Sequence, residues 1–235
     1  MNTATDTDPT EGHTSRSLDH ALSELRLSTV SMGGLVIDQV TTAVRALLEG
    51  DANAAQQVLS REVQVNQLEQ NIDRDAFRLI ALHQLVAGDL RLVRAIARVI
   101  HELERVGDEA RKIASFAQRV IDGTPQGPVT TVAPYLRHMA ALSASMLREA
   151  VRALDESDLQ LAYQVTERDA ELDEEFATAL RKVFTLVMEG EPYLRATIDT
   201  VFALKGLERI GDHAKNIAEQ VVLIIGPDDK FTAAE

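Results

Sequence analysis

The chain has 235 residues, of which 45% are hydrophobic, so it can form one large domain or two small ones. Lys and Arg total 24 against 37 Asp and Glu, and the formal net charge of −13 argues against a general nucleic-acid binder or a basic membrane-surface helix. The absence of cysteine excludes disulfides, thiolate metal sites and cysteine nucleophiles. No apolar run is long enough to span a bilayer, and the N-terminal segment lacks the apolar stretch of a signal peptide. The composition therefore predicts a soluble cytoplasmic protein with no direct membrane insertion.

The first half of the chain is predicted to form three helices, because its apolar residues recur at helical spacing and no strand pattern is visible. The first helix spans about residues 18–49. Asp51 caps the second helix, which ends near residue 85. Asp89 caps the third helix, which ends at Gly123.

The second half is predicted to form three more helices. The fourth spans about residues 134–154, beginning at a proline. Ser157 and Gln160 have the spacing of a capping box that opens the fifth helix. Gly190 ends that helix, and Pro192 stands where a proline is tolerated in the first turn of the sixth.

The two halves repeat each other in sequence. The segment LERVGDEARKIA at residues 103–114 matches LERIGDHAKNIA at residues 207–218 with eight identities. A stretch rich in proline and glycine lies between the halves. The predicted fold is all-α, with six long antiparallel helices in two pseudo-symmetric three-helix bundles. The sequence divides into four predicted segments: a disordered acidic tail at residues 1–17, the first repeat at 18–123, the second repeat at 129–226 and a flexible tail at 227–235.

Each repeat carries two acids one helical turn apart, Glu104 with Asp108 and Glu208 with Asp212. Such acids share a helix face and repel each other. A glycine three residues after the first acid further weakens each helix, by up to about 1 kcal/mol relative to alanine. Because a hard cation would turn this repulsion into attraction, and glycine would allow close backbone access, the pattern predicts a metal site in each half.

Further oxygen ligands are predicted on the preceding helix of each half. Antiparallel folding places Asp169 and Asp173 opposite the second acid pair, and Glu62 and Asn66 opposite the first, with Glu69 as a less certain addition. These side chains suit one or more divalent or trivalent ions, with magnesium, manganese, iron and zinc as the candidates. Since Asn66 replaces an acid, the first site is predicted to bind metal more weakly.

Other interpretations of these residues stay open. Exposed acid pairs are common on helices, and Arg105 and Arg209 could neutralise them in a purely structural bundle. His213, beside Asp212, is a less certain ligand. No histidine follows a glutamate by three residues, so the signature of di-iron bundles is absent.

The doubled Leu-Glu-Arg-[Val/Ile]-Gly-Asp segment resembles the hallmark of the PhoU family of phosphate-transport and phosphate-signalling regulators. Met32-Gly33-Gly34 and Asp89-Leu90-Arg91 resemble other motifs of that family, and the resemblance covers nearly the whole chain outside its tails. Two departures are Leu85, where many members carry proline, and the Pro-Tyr-Leu-Arg segment at 192–195 that replaces the second Asp-Leu-Arg.

The resemblance implies a non-catalytic homodimer with multinuclear metal clusters at the repeated acids. It implies a negative regulator of phosphate uptake and phosphate-starvation signalling, an adaptor between the ATPase subunit of the phosphate ABC transporter and a sensor histidine kinase. Such a protein would be peripheral to the inner face of the membrane through its partners. The alternatives are an accessory protein of another phosphate permease and a carboxylate-bridged metal-dependent enzyme. The Met-Gly-Gly segment and the clear second hallmark argue against the other permease.

Overall fold

A computed structural model describes residues 9–123, 127–190 and 193–225, with side chains from residue 16 onward. These residues form six α-helices and contain no strand, which confirms the predicted all-α fold. In chain order the helices are α1 Pro9–Glu49, α2 Ala52–Leu82, α3 Ala87–Ile121, α4 Gly127–Glu156, α5 Leu159–Met188 and α6 Leu194–Ile225.

The helices form two three-helix bundles, α1–α3 and α4–α6, as the internal repeat predicts. The halves join where α3 packs on α6 and α1 packs on α4, whereas α2 and α5 contact only helices of their own half among the described residues. No helix in the described part of the chain combines the length and apolar character needed to cross a bilayer. The candidate ligands on α2 and α5 therefore lie on the outer helix of each bundle.

An apolar stripe on α3 faces the interior. Its residues recur at helical spacing and are almost fully buried. The α3 stripe consists of Ile96, Val99, Ile100, Leu103 and Val106. Since the acids of α3 flank this stripe, burial of the stripe determines which way the acids point.

The first helix begins before the predicted boundary. It begins at Pro9 rather than near residue 18, so part of the segment predicted as a tail is helical. Proline is favoured in the first turn of a helix, because its missing N–H would have no partner there. The remaining tail residues lie outside the described part of the chain.

Capping confirms one prediction and corrects another. The Asp51 side chain accepts hydrogen bonds from the backbone N–H groups of Asn53 and Ala54, both at 3.0 Å, and caps α2 as predicted. The prediction that Asp89 caps α3 is wrong. The N-cap is Val86, and Asp89 lies inside the first turn, where a negative charge interacts favourably with the helix dipole.

The starts of α4 and α5 also differ from prediction. α4 begins at Gly127, and Pro134 lies inside it rather than at its start. The α5 cap is Asp158, whose side chain accepts from the backbone N–H of Leu161 at 3.0 Å. Ser157 instead adopts a left-handed φ of 55°, so the predicted capping box does not form. Pro192, predicted in the first turn of α6, lies outside the described residues.

Glycine allows α5 and α6 to approach each other closely. A Cβ atom built on Gly211 of α6 would overlap Leu172 Cδ2 of α5. The equivalent Gly107 of α3 has more room, with Val65 Cγ1 of α2 at 3.4 Å from the same built position. Leu172 thus fills the space beside Gly211, which makes that glycine a packing requirement, whereas a Cβ on Gly107 would make only ordinary van der Waals contacts.

We expect Gly211→Ala to lower the free energy of unfolding by about 1–3 kcal/mol, because the added methyl group forces buried Leu172 to move. Gly34→Ala is the matched control, since Gly34 is an exposed residue inside α1 with no atom within 4 Å of an added Cβ. The control should raise stability by about 0.5–1 kcal/mol through helix propensity alone. Urea unfolding followed by circular dichroism measures both. Equal stabilisation by the two substitutions would contradict the packing argument.

Candidate metal sites

Helix register brings the acids of α2 and α5 beside those of α3 and α6. Val65 lies next to Gly107, and Leu172 lies next to Gly211. Glu62 and Asp169 each lie one turn before those contact residues on the same helix. Each outer helix therefore presents its acids along the helix that carries the repeated acid pair.

The acids of the second half form a cluster around Asp212. Burial raises the pKa of Asp212, and repulsion from Glu208, Asp169 and Asp173 raises this pKa further. Lys205 opposes that effect only in part. All four predicted ligands of this half therefore interact electrostatically, and the cluster resists carrying its full negative charge.

In the first half the corresponding cluster surrounds Glu104. Burial raises the pKa of Glu104, and the charges of Asp108 and Glu69 raise it further. The positive charges of His101 and Arg105 lower this pKa only in part. Glu69, the less certain candidate, therefore interacts directly with the repeated acid pair.

The other two candidates of the first half lie along α2. Asn66 is half-buried one turn after Glu62. Glu62 itself contacts Arg111 of α3, with Oε1 and Nε 2.9 Å apart. The first-half candidates thus divide into one group near Glu104 and another near Arg111.

A cation at the same place in each repeat binds these acids, and sequence reasoning missed it. Arg111 contacts Glu62 and also Asp108, whose Oδ1 lies 3.5 Å from Arg111 Nη2. Its counterpart Lys215 places Nζ 2.5 Å from Asp169 Oδ2. The available signal was the conservative match of arginine with lysine, three residues after the second acid of each repeat. The repeated element therefore contains two acids, the arginine that follows the first acid, and a second basic residue three positions after the second acid.

The two clusters differ at one further pair of positions. In the second half, Lys205 Nζ lies 2.5 Å from Glu208 Oε1 and 5.4 Å from the centre of the Phe176 ring. The corresponding residues of the first half are His101 and Glu69, with Nδ1 and Oε1 3.6 Å apart. Glu69 thus supplies a carboxylate to the first cluster, which offsets the acid missing at position 66. Each half has four carboxylates in total.

The donor set suits a hard cation, but several of the carboxylates already form ion pairs with basic side chains. All predicted ligands except the imidazole of His213 offer oxygen atoms, as Mg²⁺ and Mn²⁺ prefer. Glu208 Oε2 is buried without a well-formed hydrogen bond, although Lys205 Nζ is 2.5 Å away. Among the described residues, no three His, Asp or Glu side chains converge closely enough to hold an ion. Instead, Arg111 contacts Glu62 and Asp108, Lys205 contacts Glu208, and Lys215 contacts Asp169.

His213 joins the two halves. Its Nδ1 lies 2.7 Å from Glu102 Oε2 on α3, and Asn216 Nδ2 donates to the same oxygen at 3.1 Å. Burial alone would raise the pKa of Glu102, but the hydrogen bonds from His213 and Asn216 outweigh burial and lower it. The structure therefore places His213 in a buried contact between α6 and α3 and commits its Nδ1 to Glu102.

Fold and site together define a class of protein: a duplicated helical bundle with four candidate carboxylates in each half. A family model described as the PhoU domain matches residues 29–117 and 136–221, one match in each half. The chain belongs to the PhoU family.

Related proteins and solved structures agree over most of the chain. The phosphate-specific transport system accessory protein PhoU homolog of Pseudomonas putida is 40% identical over 92% of this chain and 84% of its own length. The crystal structure of PhoU from Pseudomonas aeruginosa has a TM-score of 0.82 and 40% identity, covering 88% of this chain and 98% of that one. The crystal structure of the phosphate transport system regulatory protein PhoU from Streptococcus pneumoniae has a TM-score of 0.80 and 26% identity, covering 89% of this chain and 97% of that one. The names of these relatives describe accessory and regulatory proteins, so the family is not one of enzymes.

The raised pKa of Asp212 predicts a stability that depends on pH. Folded Asp212 keeps its proton to higher pH than in the unfolded chain, so its contribution to the free energy of unfolding falls as pH rises above its ordinary value of 3.8. In EDTA at pH 7 and low salt, Asp212→Asn should therefore raise stability by about 0.5 kcal/mol, comparable to removing one like-charge pair. The gain should shrink as pH falls toward 3.8.

Glu171→Gln is the matched control, since it removes one exposed negative charge from α5 outside the cluster. Urea unfolding at several pH values measures both variants. A loss of stability in Asp212→Asn at pH 7 would show that its carboxylate is favourably paired without metal.

Proposed function

We propose that this protein is a metal-binding accessory protein of a phosphate-specific transport system and a negative regulator of phosphate-starvation signalling. Membership of the PhoU family in both halves is the observation that carries this proposal. The relatives that cover most of the chain are named as accessory or regulatory proteins of phosphate transport. The charged clusters are duplicated along with the fold, which favours a role that uses both halves.

The carboxylate clusters would hold the metal ions. In the second half the ligands would be Asp169, Asp173, Glu208 and Asp212. In the first half they would be Glu62, Asn66, Glu104 and Asp108, with Glu69 as a further carboxylate. A bound ion would supply the positive charge that relieves the raised pKa values of Glu104 and Asp212. Iron, zinc, manganese and magnesium remain the candidate ions.

We also propose that the adaptor contacts other proteins through the outer face of its bundles. Phe77 and Ile80 near the end of α2 are exposed, and so are Phe184 and Val187 at the equivalent places on α5. Exposed apolar residues repeated in both halves support protein contact surfaces. The proposed partners are the transporter ATPase subunit, the sensor histidine kinase and a second copy of the chain, at the cytoplasmic face of the membrane.

Metal binding can be tested on purified protein after EDTA treatment. We expect Mn²⁺ or another candidate ion to raise the melting temperature of the wild type and to remain in the protein by element analysis, because the ion relieves the carboxylate repulsion. Glu208→Gln/Asp212→Asn should lose about half of the bound metal. Glu171→Gln/Glu174→Gln, which removes two exposed charges from α5, should bind as the wild type does. Equal metal content in both double variants, or no metal in any, would contradict the proposed sites.

The regulatory role can be tested in a strain that lacks its own gene for this protein. We expect a phosphate-starvation reporter to be active at high phosphate without the gene and repressed when the gene is restored. The restored protein should co-purify with the transporter ATPase subunit or the kinase. A reporter that stays repressed without the gene, with neither partner recovered, would overturn the adaptor proposal.

A further inference from the structure

A basic cleft of about 480 Å³ lies between α3 and α6, where the two halves meet. Its charged lining contains five cations and two acids, although the whole chain carries a net charge of −13. The cations are Arg111, Lys112, Arg119, Lys205 and Arg209, and the acids are Glu109 and Asp199. The lining of the cleft thus holds three more cations than acids, in a chain whose net charge is negative.

The acids of the cleft do not compensate all of its positive charge. The Glu109 side chain is only 5% exposed and serves two cations, with Lys112 Nζ at 3.0 Å and Arg209 Nη1 at 2.9 Å. Arg119 donates hydrogen bonds to both carboxylate oxygens of Asp199, at 2.8 and 3.4 Å, so these two charges neutralise each other. Because the single Glu109 carboxylate pairs with both Lys112 and Arg209, one positive charge remains unbalanced at this end of the cleft.

Two further cations contribute charge from the walls of the cleft. Arg111 and Lys205 both line it, but their carboxylate partners belong to the clusters on either side. A cleft that concentrates one sign of charge between low-dielectric walls focuses the field and attracts an oppositely charged ligand. The preferred ligand group is therefore an anion with several oxygen acceptors, for which arginine and lysine are the usual partners in proteins.

The rest of the lining is apolar and includes an exposed aromatic ring. Ile113, Phe116 and Ala203 contribute buried apolar side chains, and Phe202 is 68% exposed. Gly206 lies against the same wall, since a Cβ built there would make ordinary van der Waals contact with Ile113 at 3.5 Å and with Glu109 Oε2 at 3.6 Å. The exposed Phe202 ring, beside the cations of the cleft, offers a surface on which a planar ring of a ligand can stack.

We infer that this cleft binds a nucleoside phosphate, with the phosphate near Lys112 and Arg209 and the base against Phe202. The volume lies within the range of about 300–1,000 Å³ that is usual for small-molecule sites. Inorganic phosphate alone would use the cations and leave the apolar lining unused. A nucleoside phosphate uses both parts. This inference goes beyond the proposed adaptor role and does not depend on metal in the carboxylate clusters.

Isothermal titration calorimetry in EDTA tests this inference without metal at either cluster. The probes are AMP, ATP, adenosine and inorganic phosphate, each titrated into the full-length protein at low salt. We expect AMP and ATP to bind at least tenfold more tightly than adenosine or inorganic phosphate, because adenosine lacks the phosphate and inorganic phosphate lacks the base.

Two variants separate the parts of the cleft. Lys112→Glu should weaken AMP binding by at least tenfold, and Phe202→Ala should weaken it by about tenfold while leaving phosphate binding unchanged. Lys182→Glu and Tyr163→Ala change an exposed lysine and an exposed aromatic residue on α5 and should leave AMP binding unchanged. Circular dichroism and urea unfolding verify that each variant is folded.

Three results would overturn the inference. The first is no binding of either nucleotide to the wild type. The second is binding that the two cleft variants weaken no more than the two control variants do. The third is inorganic phosphate binding as tightly as AMP, which would show an anion site with no part for the base.

Discussion

Repulsion between acids on adjacent helices is the interaction on which the proposed metal sites depend. Burial and neighbouring carboxylates raise the pKa values of Glu104, the first acid of the pair in one half, and of Asp212, the second acid of the pair in the other half. The fold tolerates this charge because Arg111 and Lys215 contact the acids of the outer helices. The clusters thus have cation partners of their own, which a metal ion would have to replace or supplement.

The contact between α3 and α6 connects these clusters to each other. The same two helices carry both acid pairs, the buried His213–Glu102 contact and the ion pair between Arg209 and Glu109. A change in charge at either cluster would therefore act on helices that also form the junction between the halves. In this arrangement the duplicated sequence forms one connected unit rather than two independent bundles.

The sequence predicted the features that depend on local periodicity and repetition. Six helices, the two bundles and the Asp51 cap follow from apolar spacing, the doubled hallmark and turn chemistry. Local rules failed at Ser157, because the adjacent Asp158 caps α5 and leaves Ser157 in a left-handed turn. They failed at Pro134 because a helix can continue through proline when its other contacts hold it. The role of Gly211 depends on Leu172 of another helix, which helix periodicity does not show.

The central claim, that the repeated carboxylates hold metal ions, is tested most directly by a crystal structure of the protein soaked in Mn²⁺. Anomalous difference density should then lie in both halves, between α2 and α3 and between α5 and α6, with carboxylate oxygens at about 2.0–2.6 Å from the ion. Arg111 and Lys215 should no longer contact Glu62 and Asp169 at the occupied sites. Density only at other surface acids, with both ion pairs intact, would contradict the claim.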